Sequence, residues 1–504
     1  MTVPARRLRW ATALVALVAV LASGAGIGVR STFGGRAAVD EPEYLLTALS
    51  LAEDRDLSIA DELAAERWRD FHDAELPVQT AVLDGGRRVS PHDPLLPLLL
   101  AGSMRLGGLV AAKLTMAALA GLLAALTLWV AVRRLAVPLG TATCVVAVAS
   151  ATAPLGVYGQ QVYPELPAAL ATVTGVAALT GPLGRRGLVA LGLAVVALPW
   201  LSVKYVPVAA ALTGVALWSL HRRGDRSAAL ALAGTLAAAG AGYLALHQLL
   251  YGGWTVYATG DHFVESGEFG VVGFSPNYVG RSSRLIGLLV HRGYGLAAWQ
   301  PAWLLVVPAL GAVAGLVWRS RRTDRRTEPV WAGAVVLPLV AGWLNATFVA
   351  LTMDGFWWPG RQVVVVLPLA VLVIAWWLPR SSPLVRRLAA VAATAGALSY
   401  GWLLVDGYAR RLTWVSRFEE VGSPAYHALR PLLPDYRNLG AGAWARHGAW
   451  LLVIALCAAA GWRSALPLLP QHDSTHDEGK PDEGTNVDQA GRRRALADGR
   501  ARLQ

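Results

Sequence analysis

The chain has 504 residues, is 55% hydrophobic and 15% charged, and carries a formal net charge of +12, with a mean hydropathy of +0.45. This composition excludes an ordinary soluble globule, because its repeated apolar runs approach the roughly 20 residues needed to cross hydrocarbon. A nucleic-acid partner is excluded as well: the excess arginine lies in short clusters between apolar runs (Arg6-Arg7-Arg9, Arg133-Arg134, Arg185-Arg186, Arg222-Arg223, Arg319 to Arg326, Arg386-Arg387), in alternate connections, as the positive-inside rule places topology signals.

In chain order the pattern predicts an all-α polytopic membrane protein of twelve spans, at about 8–29, 108–132, 138–157, 165–182, 187–200, 204–220, 227–250, 295–318, 329–352, 361–378, 387–405 and 447–467. The first run lacks a clean Ala-x-Ala site after it and is read as an uncleaved helix. Pro199, Lys204 and Pro207 separate the fifth and sixth spans. An even count places both termini in the cytoplasm. Residues 1–469 form the transmembrane domain, and the polar tail 470–504, without aromatics, reads as disordered. Cys144 and Cys457 fall in apolar segments and read as small core residues. Trp10, Trp218, Trp318, Trp357 and Trp358 stand near span ends, where indole rings settle at the interface.

Three long connections, 30–94, 251–294 and 406–446, fall on the outer side, so function is expected there. The first contains two segments of helical periodicity, Glu43 to Ala52 and Leu57 to Phe71, suited to lying in the interface plane. The second carries Asp261, His262, Glu265 and Glu268, which resemble a metal set only loosely, and then a basic stretch with Arg281, Arg284 and His291. No cofactor is required and no metal ligand is assigned; a divalent metal stays the alternative.

Acids are scarce, 33 Asp plus Glu in all, which singles out Asp40–Glu41 just past the first span. A carboxylate at the mouth of a helix bundle can take a proton from a hydroxyl while a lipid-borne substrate waits in the bilayer; the plainer reading is a solvated loop acid. Cations able to stabilise a developing phosphate charge are Arg361, Lys204 and His92. Each has a bland alternative: Arg361 as a snorkelling side chain, Lys204 near a span end, His92 as a structural residue. Glu165 serves either as a substrate contact or as a charge at a helix N-terminus.

The run Asp40-Glu-Pro-Glu-Tyr-Leu-Leu46 followed by Ala52-Glu-Asp-Arg-Asp-Leu57 resembles the GT-C superfamily of membrane glycosyltransferases. Within it the likeness is to the branch of protein O-mannosyltransferases, aminoarabinose transferases and Rgt-type lipopolysaccharide sugar transferases. Further matches are Pro91-His-Asp-Pro-Leu-Leu-Pro97, Gln161-Val-Tyr-Pro-Glu-Leu-Pro167 and Pro359-Gly-Arg361. Val39 stands where glycine is common, and Asp93 and Leu95 replace glycines of a usual His-Gly-Pro-Gly-Leu-Pro. The resemblance implies transfer of a sugar from a polyprenyl-phosphate carrier, with inversion, to an envelope glycan, lipid or protein at the outer face of a bacterial plasma membrane. Asp40 would be the base with Glu41 beside it, and Arg361, Lys204, His92, Tyr163 and Glu165 would meet substrate. A lipid-linked sugar flippase or transporter and a non-catalytic envelope-assembly protein are the other classes. A transporter should carry polar residues within several spans, whereas here they gather on one side.

Overall fold

A computed structural model describes residues 3–256, 278–322, 330–350 and 353–464. Among them nine helices are long and apolar enough to cross a membrane, and the chain is a multi-pass all-α membrane protein. The helices as far as the second long loop are α1 (Ala5–Gly24), α2 (Glu41–Glu53), α3 (Ala60–Ala64), α4 (Leu95–Arg133), α5 (Leu139–Ser150), α6 (Leu155–Tyr158), α7 (Glu165–Leu179), α8 (Arg185–Leu201), α9 (Val206–Arg222) and α10 (Arg226–Tyr251). Helices Val306–Arg322, Val330–Leu344, Leu367–Trp377, Pro383–Tyr408 and Ala441–Ser464 follow. A helix stands at each of the twelve predicted spans, but α5, α7 and α8 have only 12, 15 and 17 residues. The expected tail lies outside the described residues.

Local chemistry explains the departures from regular helices. The second span was expected to begin near residue 108, and there α4 kinks, with Gly107 at φ −159°, ψ 19° and Gly108 at φ 58°; a positive φ favours glycine. Residues 95–106 continue as helix beyond the kink. Between α8 and α9 the chain is extended at Ser202 (φ −169°, ψ 134°). Pro199 inside α8 and Pro207 at the start of α9 remove the amide donors that would carry a continuous helix through. Lys204 lies in the resulting break.

The first long loop differs most from expectation. Its first segment is helical but enclosed: every residue from Glu41 to Ser50 in α2 is buried, and α2 packs along α4. Leu45, Leu46 and Leu49 face the core, while backbone from elsewhere covers the acidic residues. The second segment yields only α3 and a 3₁₀ turn at Arg67–Asp70, interrupted by Glu66 at φ 50. A two-stranded antiparallel hairpin, Ala81–Val82 with Arg88–Val89, completes the loop.

The three long loops meet at one end of the bundle. Trp414 and Val415 donate their N–H groups to the carbonyls of Arg30 and Ser31 (both 3.0 Å), and Arg292 donates to Pro434 (2.9 Å). Beneath them Trp299, Trp358, Trp414, Phe418 and Tyr426 form an aromatic cluster, with Trp299 stacked on Tyr426 at 4.5 Å. Trp358 is therefore a core residue at 0% exposure rather than an interfacial anchor. Cys144 is exposed, which corrects its reading as a core residue; α5 turns that small side chain outward, where an apolar surroundings costs it nothing.

Candidate active site

The turn leading into Asp40 is conformationally costly. Val39 has φ 61, a left-handed conformation that costs a β-branched residue on the order of 1–3 kcal/mol; glycine would sit there freely. Glu41 holds the turn. Its Oε2 accepts from the Ser31 hydroxyl (2.7 Å) and the Ala38 N–H (3.0 Å), and its Oε1 from the Val162 N–H (2.9 Å). The buried Glu41 thus ties the start of α2 to the turn preceding α7. Tyr163 reinforces the junction through its hydroxyl, which donates to the Ala38 carbonyl (3.3 Å). Lys113, at 0% exposure, donates to the carbonyl of Arg36 (3.0 Å).

Four separate segments then converge. Arg361 donates through Nη2 to Asp40 Oδ2 (2.5 Å) and through Nε to Glu165 Oε1 (2.9 Å). Lys204 Nζ donates to the same Glu165 oxygen (2.7 Å). Glu165 is the first residue of α7, where a carboxylate also complements the helix dipole. Two cations and two carboxylates balance. Exposure is graded: Glu165 and Arg361 are buried, whereas the side chains of Asp40 and Lys204 retain 15% and 21%. Burial raises the carboxyl pKa of Asp40, but Arg361, with a smaller pull from Lys204, outweighs it and holds it below the ordinary range.

Arg361 is placed by the turn before it. Gly360 has φ 85, and a Cβ there would lie 2.8 Å from Leu296 Cδ2, so this position demands glycine. The Tyr158 hydroxyl donates to the Trp358 carbonyl (2.5 Å), and the guanidinium lies over the rings of Tyr163 (4.1 Å) and Trp357 (5.4 Å). Cation–π contact and two carboxylates fix the side chain. It does not snorkel.

His92 stacks on Tyr44 with ring centroids 4.4 Å apart, and its Nε2 has no hydrogen-bond partner. Burial lowers its pKa against the opposing pull of Asp40, which favours the neutral imidazole. Its neighbour Asp93, 2% exposed, reaches the helix break: Oδ2 accepts from the Val203 N–H (3.0 Å), and Oδ1 faces the Tyr243 hydroxyl (2.8 Å) and His247 Nε2 (2.9 Å). Asp93 thereby anchors the residue next to Lys204.

Among the expected site residues, the structure joins Asp40, Glu165, Lys204 and Arg361 by direct contact, sets Tyr163 beneath Arg361, and places His92 beside Tyr44 of α2. Glu41 faces away, with its oxygens occupied by structural donors. Sequence reasoning missed Asp93, His247, Glu43 and Lys113. The available signal was a charged or imidazole side chain in or beside an apolar run, which requires a partner. Arg281 and Arg284 donate to the carbonyls of Phe348 (2.6 Å) and Ala350 (2.9 Å). Asp261, His262, Glu265 and Glu268 lie outside the described residues.

Glu43 allows a pH test. It is 1% exposed, Oε1 accepts from the Gln79 N–H (2.6 Å), and the Ser90 hydroxyl bears on the carboxylate. Burial, opposed by the Gln79 N–H, pushes its carboxyl up to about 7. The unfolded value is about 4.3, so the folded state binds the extra proton between these limits. Stability therefore falls as pH rises from about 4.3 to about 7 and remains lower above that. Glu43→Gln should match the wild type near pH 4 and exceed it above pH 7, by on the order of 3–4 kcal/mol. Thermal unfolding of both proteins across this range checks it; a constant difference would remove Glu43 as the source.

No protein-family model and no curated protein sequence matches the chain. Among solved structures it is similar to ArnT from Cupriavidus metallidurans bound to undecaprenyl phosphate (TM-score 0.44, 16% identity, covering 90% of this chain and 76% of that one). It is also similar to the same enzyme in the apo state (0.45, 16%, 90% and 75%). A third is the apo oligosaccharyltransferase of Archaeoglobus fulgidus (0.39, 12%, 90% and 56%).

Proposed function

We propose that this protein is a membrane glycosyltransferase that moves a sugar from a polyprenyl-phosphate carrier to a hydroxyl of an envelope glycan, lipid or protein at the outer face of a bacterial plasma membrane. One observation carries the reading: the partly exposed carboxylate of Asp40 lies 2.5 Å from Arg361, and Arg361 shares a Glu165 oxygen with a second cation, Lys204. A proton acceptor thus stands beside two cations, which suits displacement of a phosphate leaving group.

The donor phosphate competes with Asp40 for Arg361 and draws Lys204 toward itself. The acceptor oxygen attacks the anomeric carbon, the bond from that carbon to the phosphate oxygen breaks, and configuration inverts. The electron pair leaves with the carrier phosphate, which Arg361 and Lys204 stabilise. The acceptor proton passes to Asp40. Glu165 orients both cations, and Tyr163 supports Arg361. Glu41 anchors the turn and takes no part in proton transfer.

The direct test incubates membranes containing the protein with radiolabelled polyprenyl-phosphate sugars and follows label into carrier-free product. Transfer that depends on Asp40 supports the proposal. Movement of intact carrier across the bilayer without transfer would assign the site to transport instead.

Asp93 supplies a further check on the Lys204 arm. Asp93→Ala frees the Val203 backbone, so the KM for donor should rise about tenfold, as expected for loss of a hydrogen bond to a charged group, with a smaller change in kcat. Asp93→Asn keeps an acceptor oxygen and should restore part of the loss. An unchanged KM in both variants would separate Asp93 from the site.

A further inference from the structure

The far end of α2 carries a second acidic group, unrelated to the proton transfer at Asp40. Asp54 caps α2, and Asp61 and Glu62 occupy the first turn of α3. One carboxylate oxygen from each lies within 4.8 Å of the other two. Asp54 and Asp61 are exposed, but Glu62 is 2% exposed and its oxygens have no hydrogen-bond donor from the surrounding elements; the hydrogen-bonding groups that bear on them are only its own N–H and Asp61. A carboxylate removed from water with no other donor is unfavourable, and two more carboxylates beside it make it worse.

The nearby protein does not compensate. Arg67 bears on Glu62, but its guanidinium is committed to both oxygens of Glu53 (2.9 and 3.1 Å). Asp56 is used in the connecting turn, accepting from the Ser50 hydroxyl (2.9 Å) and the Ser58 N–H (2.8 Å). That turn brings the end of α2 against the start of α3 and leaves the three carboxylates facing one another.

We propose that Asp54, Asp61 and Glu62 bind a calcium ion that clips α2 to α3. The donor set is entirely oxygen, which suits a hard cation rather than zinc or copper. Oxygens on opposite sides of an ion with bonds of about 2.4 Å are about 4.8 Å apart, and the three carboxylate oxygens all lie within 4.8 Å of one another. Two exposed ligands leave room for the waters and the irregular six- to eightfold coordination that calcium accepts and magnesium resists. Asp40 begins the helix whose other end the ion would secure, so the clip would steady the catalytic turn without touching substrate.

A shared proton is the competing account. Burial and the neighbouring Asp61 push the Glu62 carboxyl up to about 8, and the charged groups bearing on it are Asp54, Asp61 and Arg67. The test uses full-length protein stripped with chelator, then Ca²⁺, Mg²⁺ or luminescent Tb³⁺ excited through the tryptophans. Ca²⁺ should raise the unfolding midpoint at concentrations where Mg²⁺ does not, and should displace Tb³⁺. Asp61→Asn, at an exposed position that does not endanger folding, and Glu62→Gln should each weaken Ca²⁺ binding at least tenfold. Glu75→Gln, an exposed acid outside the group, should leave it unchanged. If Ca²⁺ has no effect on the wild type while acidification through pH 8 stabilises it, the carboxylates share a proton and the calcium proposal fails. Equal Ca²⁺ responses in wild type and Asp61→Asn also overturn it.

Discussion

Arg361→Ala should reduce turnover by about 10²–10³, the scale for removing one donor that stabilises a developing negative charge. Two effects combine in that loss, and they can be separated. Arg361 bonds to Asp40 and Glu165, so truncation leaves two enclosed carboxylates with less compensation; breaking a buried pair typically costs about 3–5 kcal/mol of stability. Activity must therefore be measured per folded molecule. Arg361→Lys restores the charge but not the fork that spans both carboxylates, and should recover only part of the rate. The double variant Arg361→Gln with Asp40→Asn removes the pair as a unit and should regain much of the stability. Its donor binding should remain weak, whereas Asp40→Asn alone should bind donor well. Wild-type donor affinity in the double variant would show that Arg361 serves only to keep Asp40 in place.

The second expected result is a loss of about 10²–10⁴ in turnover for Asp40→Asn, the usual contribution of a positioned base. Asparagine preserves shape and can still accept the Arg361 hydrogen bond through its carbonyl oxygen, so the fold should survive. The net depression of the Asp40 pKa below the ordinary range, in which burial is outweighed by Arg361 and Lys204, keeps it ionised at neutral pH. The acid limb of kcat/KM should accordingly fall below the usual carboxylate range and disappear in the variant. Glu41→Gln gives the contrasting outcome. Its new amide would face one of the two backbone N–H donors or the Ser31 hydroxyl now bound to the carboxylate, and the cost, about 1–3 kcal/mol, should appear in unfolding before chemistry. Full activity of Asp40→Asn together with a dead but folded Glu41→Gln would move the base by one residue.

Much of the path to this site was legible in the sequence. Pro199, Lys204 and Pro207 mark a break because proline removes helix donors, and α8 ends at Leu201 with Lys204 in the gap. Pro359-Gly360-Arg361 marks the entry to a span, and the positive φ of Gly360 shows why that turn needs glycine. The departure at Val39 was visible too, and its positive φ gives it a physical meaning. Less legible was α2. Its period correctly indicated a helix with Leu45, Leu46 and Leu49 on one face, but covering of the opposite face depends on Gln79 and Val162, distant in sequence.

By itself the sequence determined what periodicity and apolar length control: an all-α membrane chain, the approximate positions of its spans, and the segments rich in scarce charge. Tertiary structure alone decided partnership. Asp40 and Arg361 are separated by 321 positions, and no local pattern can say that one guanidinium will meet both Asp40 and Glu165 while Glu41, the adjacent acid, turns toward backbone donors. The reason is that a charge withdrawn from water must find compensation wherever folding brings it. Local propensity shapes the helices that carry these groups; the packing of those helices decides which charges face one another.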